Sequence, residues 1–113
     1  MNHSFVQILT TTDRREVAER IARELVEKHL AACVQIVGPI RSIYWWQGAV
    51  EEADEWQCLI KTRSELIQAV IEGIRQAHNY QVPEIIVFPI IAGNPEYLAW
   101  LAENTQSQAA KEA

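Results

Sequence analysis

Residues 33–62 read CVQIVGPIRSIYWWQGAVEEADEWQCLIKT, and the way this stretch pairs with itself decides the fold. Cys33–Val37 is a run of apolar and β-branched residues suited to a pleated, buried strand. Gly38-Pro39 then interrupts it, because proline has no N–H to give to a ladder, so a turn or bulge is expected there. Ile40–Gln47 resumes extended character with Ile43, Tyr44, Trp45 and Trp46, and Gly48 through Asp54 reads as an acidic loop. Trp56–Thr62 is the returning arm, and the simplest joint reading is a long bent hairpin.

Working outward, each side of the hairpin carries a helix and then a strand. Upstream, Phe5–Thr11 reads as a buried strand, and Asp13-x-x-Glu16 has the form of a capping arrangement. Val17, Ala18, Ile21, Ala22, Leu25 and Val26 recur at helical spacing on one face, predicting a helix to about His29. Downstream, Thr62-x-x-Glu65 again has capping form, and Leu66, Ile67, Val70, Ile71 and Ile74 predict a second amphipathic helix to about His78. Glu84–Ile91 is a strand whose Pro89 places it at an edge, or bulged or bent at that point. Asn94 suits an N-cap with Pro95 in the first turn, so a last helix follows with Tyr97, Leu98, Trp100 and Leu101 on its apolar face. The order βαββαβ plus one helix is an α+β, ferredoxin-like two-layer sandwich. Residues 1–105 form one domain, and 106–113 read as a polar flexible tail.

Composition bounds the function. A chain of 113 residues, 49% hydrophobic and 22% charged, is one globular domain. A net charge of −5 argues against a nucleic-acid partner, whose phosphates need a basic face, and mildly favours cations. No run of about 18 uncharged apolar residues is present for a membrane span, and Met1–Thr12 lacks the features of a signal peptide, so the expected compartment is the cytoplasm. Cys33 and Cys58 are far apart with no C-x-x-C pair and are expected to be free thiols.

Two strands are apolar at consecutive positions, so both faces call for burial. Two helices cover one sheet face and one short helix is a small cover for the other. Oligomerisation through Tyr44, Trp45, Trp46 and the Pro89 edge would bury the remainder.

The segments Leu30-Ala-Ala-Cys-Val34, Ser42-Ile-Tyr-Trp-Trp-Gln-Gly48, Ile60-Lys-Thr62 and Tyr80-Gln-Val-Pro-Glu-Ile85 together resemble the CutA family in order and spacing, and the similarity runs on to Tyr97-Leu-Ala-Trp-Leu101. The resemblance implies a homotrimer, similar in architecture to PII-type signalling proteins, with clefts between subunits and a link to copper and other divalent cations. Where the family usually has His-Pro-Tyr-Glu-Val-Pro-Glu, this chain has His78-Asn-Tyr-Gln-Val-Pro-Glu84. Asn79 and Gln81 depart from that pattern, and one carboxylate that could serve as a hard ligand is gone.

His78, Cys33 and Glu84 are the candidate metal ligands, offering imidazole, thiolate and carboxylate. Each also has a bland reading. Cys33 suits a small core site, and His78 suits a helix end where the dipole favours it. Lys61, Tyr80 and Trp45 are the candidate contacts of the alternative, a small anionic or nucleotide-type ligand in a PII-like cleft. Glu51, Glu52, Asp54 and Glu55 read as a solvated acidic cluster, and His3 and His29 as surface positions. No phosphate loop, nucleophile elbow or H-E-x-x-H motif is present, so no enzymatic activity is expected and no cofactor beyond a divalent cation such as copper is implied.

Overall fold

A computed structural model describes residues 3–106 of the chain. The elements are β1 (Phe5–Thr12), α1 (Arg15–Glu27), β2 (Cys33–Trp46), β3 (Ala49–Arg63), a single 3-10 turn (Ser64–Leu66), α2 (Ile67–Ala77), β4 (Ile85–Pro89) and α3 (Pro95–Glu103). The strands form one antiparallel sheet in the order β2-β3-β1-β4. This is the ferredoxin-like βαββαβ arrangement with an appended helix. β4 is an edge strand, which is where Pro89 costs the ladder nothing.

Alternation along the strands separates two faces. Val6 and Ile8 of β1 and Cys58 and Ile60 of β3 point to the helices, where they meet Val17, Ala18, Ile21 and Leu25 of α1 and Val70, Ile74 and Ala77 of α2 in one buried cluster. The opposite face carries cross-strand rows: Phe88, Gln7, Lys61 and Cys33 in one, and Ile86, Leu9, Leu59 and Gln35 in the next. α3 packs at one end of this second face. Its Leu101 is fully buried, and Arg63 donates to the Ala102 carbonyl and, through Nε, to Thr105 Oγ1 at 2.9 Å.

The hairpin is longer and tighter than the sequence implied. The acidic stretch from Gly48 to Asp54 is not a loop, because β3 begins at Ala49 and pairs with β2 from the Trp46–Ala49 closure onward. The turn consists of Gln47 and Gly48 alone, with φ of 47° and 82°. Two successive positive φ values give the turn whose twist matches the flanking strands. Glu52 and Asp54, expected to be merely solvated, flank Arg41 at 2.6 and 3.4 Å.

Gly38-Pro39 is the irregularity its composition foretold. Val37 pairs with Gln57, but Ile40 pairs with Glu55, so β2 holds one residue more than β3 opposes. One extra residue in a period of two exchanges the faces of everything beyond it. Gly38 is required at this point because a Cβ would collide with the indole of Trp56.

Neither expected capping box forms, since no side chain caps the start of α1 or of the 3-10 turn. Thr62 instead donates to the Leu30 carbonyl at 2.6 Å, and Thr12 Oγ1 accepts the Arg14 amide at 3.2 Å. Asn94 does cap α3, accepting the Glu96 amide at 3.2 Å. Gln106, placed at the start of the expected tail, donates its amide to the His29 carbonyl at 2.8 Å. Residues 107–113 lie outside the described part.

Candidate functional site

The bulge in β2 creates the site. Beyond it, Ser42, Tyr44 and Trp46 share a face with Ala53, Glu51 and Ala49 of β3, while Trp45 turns to the other side. Glu55 follows on the same β3 face as Glu51. Ser42, Ile43, Tyr44, Trp46, Glu51 and Glu55 form one wall of a cleft of about 570 Å³, the other wall coming from Thr11 at the end of β1, from Asp13 just after it, and from Tyr80–Val82 and Glu84 between α2 and β4.

The second wall is fixed by a chain of hydrogen bonds from the end of α2. His78 closes the helix, its amide donating to the Ile74 carbonyl at 2.9 Å. Its Nδ1 accepts the Tyr80 amide at 3.0 Å, so the ring proton sits on Nε2, which donates to the Thr11 carbonyl at 2.8 Å. Burial pushes the His78 pKa below the ordinary value, opposed by the Thr11 carbonyl and by the charges of Asp13 and Glu55. Asn79 bridges to the β1–α1 turn: Thr12 Oγ1 donates to its Oδ1 at 2.6 Å, and its Nδ2 donates to Asp13 Oδ1 at 2.9 Å. A proline at this position could make neither bond. Thr11 Oγ1 donates to Glu84 at 3.3 Å.

Tyr80 crosses the cleft. Its ring lies 4.9 Å from that of His78, and its hydroxyl donates to Glu55 Oε2 at 2.7 Å. Burial first, then the hydrogen bond to Glu55 and its charge, hold the phenol proton well above the usual range. Glu55 is 7% exposed, and among the described residues no Lys, Arg or His side chain pairs with it. Asp13, Glu51, Glu55 and Glu84 give the cleft four carboxylates, and no Lys or Arg is among its lining residues.

The expected site residues do not all meet here. Glu84 and Tyr80 line the cleft, and His78 stands behind it with both ring nitrogens engaged. Cys33 is elsewhere, in the row of Lys61 and Gln7, four β1 positions or about 13 Å along the strand from Thr11. There it lies close to Tyr97 of α3, whose pKa is raised by burial and then by the thiol. Among the described residues no three His, Cys, Asp or Glu side chains converge as a metal cage.

The grouping expected for an anionic ligand is dispersed. Lys61 donates to Gln35 Oε1 at 2.6 Å on the open sheet face, and the bulge turns Trp45 away from the cleft, where it is 75% exposed. That leaves Tyr80 in acidic surroundings, which do not favour an anion. Of the residues expected at a subunit interface, Tyr44 and Trp46 form the cleft wall, Trp45 lies on the outer face, and Pro89 ends the edge strand. Sequence reasoning missed Glu55 and Glu51 as cleft residues because the register that aligns them with Tyr44 depends on the one-residue bulge. His29 is at the surface as expected, with Nδ1 3.1 Å from the Asn104 carbonyl.

Comparison with known proteins agrees with this architecture. The family model described as CutA1 divalent ion tolerance protein matches residues 6–104. The divalent-cation tolerance protein CutA of Thermus thermophilus is 49% identical over 98 residues, which are 87% of this chain and 95% of that protein. Mouse Protein CutA is 46% identical over 97 residues, covering 86% of this chain but only 55% of the mouse protein, so the chain spans about half of that relative. The solved structure of the periplasmic divalent cation tolerance protein CutA of Archaeoglobus fulgidus superposes with a TM-score of 0.87 at 42% identity, covering 90% of this chain and 99% of that one. With the βαββαβ fold and a match over nearly its whole length, the chain belongs to the CutA1 divalent-ion tolerance family.

Proposed function

We propose that this chain serves divalent-cation tolerance by taking up cations in the cleft between the hairpin and the 78–84 loop, with copper among them. The observation that carries this reading is the buried Glu55 carboxylate, hydrogen-bonded by a neutral phenol and lacking a cationic partner among the described residues, in a cleft with three further carboxylates. A carboxylate taken out of water without a counter-charge is costly, and a cation in the cleft relieves that cost. Since the carboxylates ring the space without converging on a point, a divalent ion there keeps much of its hydration shell and binds weakly. Glu84 is the one expected ligand retained in this assignment. His78 acts by holding Tyr80 in place.

The chain works as a homotrimer in this reading. Trp45 and Val50 form an apolar outer face on the hairpin, and β2 is an open edge. We place the protein in the cytoplasm on the strength of its two unpaired cysteines. Cell fractionation decides this, and recovery from the periplasm, the compartment stated for the Archaeoglobus relative, would contradict it.

Calorimetric titration of copper and of manganese tests the cation site. Glu55→Gln and Glu84→Gln are each expected to weaken binding several-fold with the assembly intact. Unchanged affinity in both variants would remove the cleft from the account.

A further inference from the structure

We propose that the same cleft binds a small organic ammonium ion, seated against the faces of Tyr44 and Trp46 with Glu55 as its counter-charge. This rests on the reading of the cleft as a cation site and extends it to a ligand class that a bare metal ion does not satisfy.

Three observations converge. The first is size. A cleft of about 570 Å³ falls within the 300–1,000 Å³ range of small-molecule pockets, many times the roughly 30 Å³ that one water occupies. The second is the wall. The bulge puts Tyr44 and Trp46 on one face, the cross-strand pair Tyr44–Glu51 brings an aromatic ring beside a carboxylate, and Tyr80 contributes a third ring from the opposite wall. A hydrated metal ion gains little from aromatic rings, whereas an alkylammonium ion has apolar surface to bury and a charge that the negative face of a π-system attracts. Tyr44 and Trp46 are both exposed in the single chain. The third is Glu55. It is more than nine-tenths buried, it lines the cleft, and its Oε1 has no hydrogen bond among the described residues, the Tyr80 hydroxyl being on Oε2. Aromatic surface beside a buried carboxylate is the chemistry that selects an organic cation from inorganic ions and from neutral molecules of the same shape.

The test is calorimetric titration of the intact assembly with tetramethylammonium chloride at constant ionic strength, with tert-butanol as the uncharged probe of similar shape. Saturable binding of tetramethylammonium and none of tert-butanol is expected. Tyr44→Leu should weaken ammonium binding at least five-fold, and Tyr44→Phe should retain it. Glu55→Gln should weaken both cations. Tetramethylammonium binding no better than tert-butanol, or equal affinity in Tyr44→Leu and Tyr44→Phe, would overturn the proposal. So would a cleft closed by a side chain of a second copy, which would show as the absence of ammonium binding. Manganese binding without ammonium binding removes this inference and leaves the divalent-cation reading standing. Ammonium binding without manganese or copper binding does the reverse.

Discussion

Gly38 lies beneath the Trp56 indole at the point where β2 gains its extra residue, so any side chain there must displace an aromatic ring that is packed against the core. Overpacking of this kind costs about 1–3 kcal/mol. Gly38→Ala is therefore expected to lower unfolding stability by that amount in denaturant titration, and no change would mean that Trp56 yields freely. His78 makes the chain sensitive to acid. Its pKa is lowered from the ordinary 6.5 by burial, so the unfolded chain takes up this proton first as pH falls. The stabilisation is complete above about 6.5 and is lost as pH falls through the lowered native value, because protonated Nδ1 no longer accepts the Tyr80 amide. The melting temperature should fall more steeply between pH 7 and pH 5 in the native protein than in His78→Gln. Equal slopes in scanning calorimetry would show that His78 does not carry this dependence. Cys58, whose thiol burial pushes up to about 11, should resist alkylation at neutral pH while Cys33 reacts. Mass spectrometry of the labelled protein reads this directly.

At the scale of elements, the features legible in the sequence were those written in local chemistry. The apolar spacing of Val17, Ile21 and Leu25 and of Val70 and Ile74 marked two core helices, Pro89 marked an edge strand, and Asn94-Pro95 marked a helix start. The hairpin tip was not legible, because Gln47-Gly48 is a less common turn pair and the acidic residues after it suit a loop as well as a two-stranded ribbon in solvent. The apparent capping boxes failed because Asp13 and Thr62 found partners at Asn79 and Leu30, set by the tertiary fold. The site was half legible. Tyr80 and Glu84 stand out from the loop that carries them, but whether Trp45 or its neighbours face the cleft, and whether Glu55 does, depends on the one-residue bulge, which the local sequence does not fix. Asn79, a departure from the family pattern in sequence, ties the loop to the β1–α1 turn through two side-chain hydrogen bonds. Asn79→Ala should cost about 1–2 kcal/mol and speed hydrogen exchange at the Tyr80 amide. Unchanged exchange there would mean that the loop is held without it.

For the whole molecule, the hairpin extends the chain to 47 Å in its longest dimension and carries Trp45 and Val50 far from the core. Apolar surface placed so far out has no intramolecular partner, which is why the trimer reading assigns it to subunit packing. Native mass spectrometry is expected to give three times the 12.9 kDa chain mass, and Trp45→Glu should shift the population to monomer. A wild-type monomer at micromolar concentration would contradict the assembly. The central claim is that the cleft beside Glu55 is where cations are held. Anomalous diffraction from crystals soaked in copper tests it most directly: a peak between Glu55, Glu51 and Glu84 is predicted, and copper found only at Cys33 or His78 with the cleft empty would contradict it.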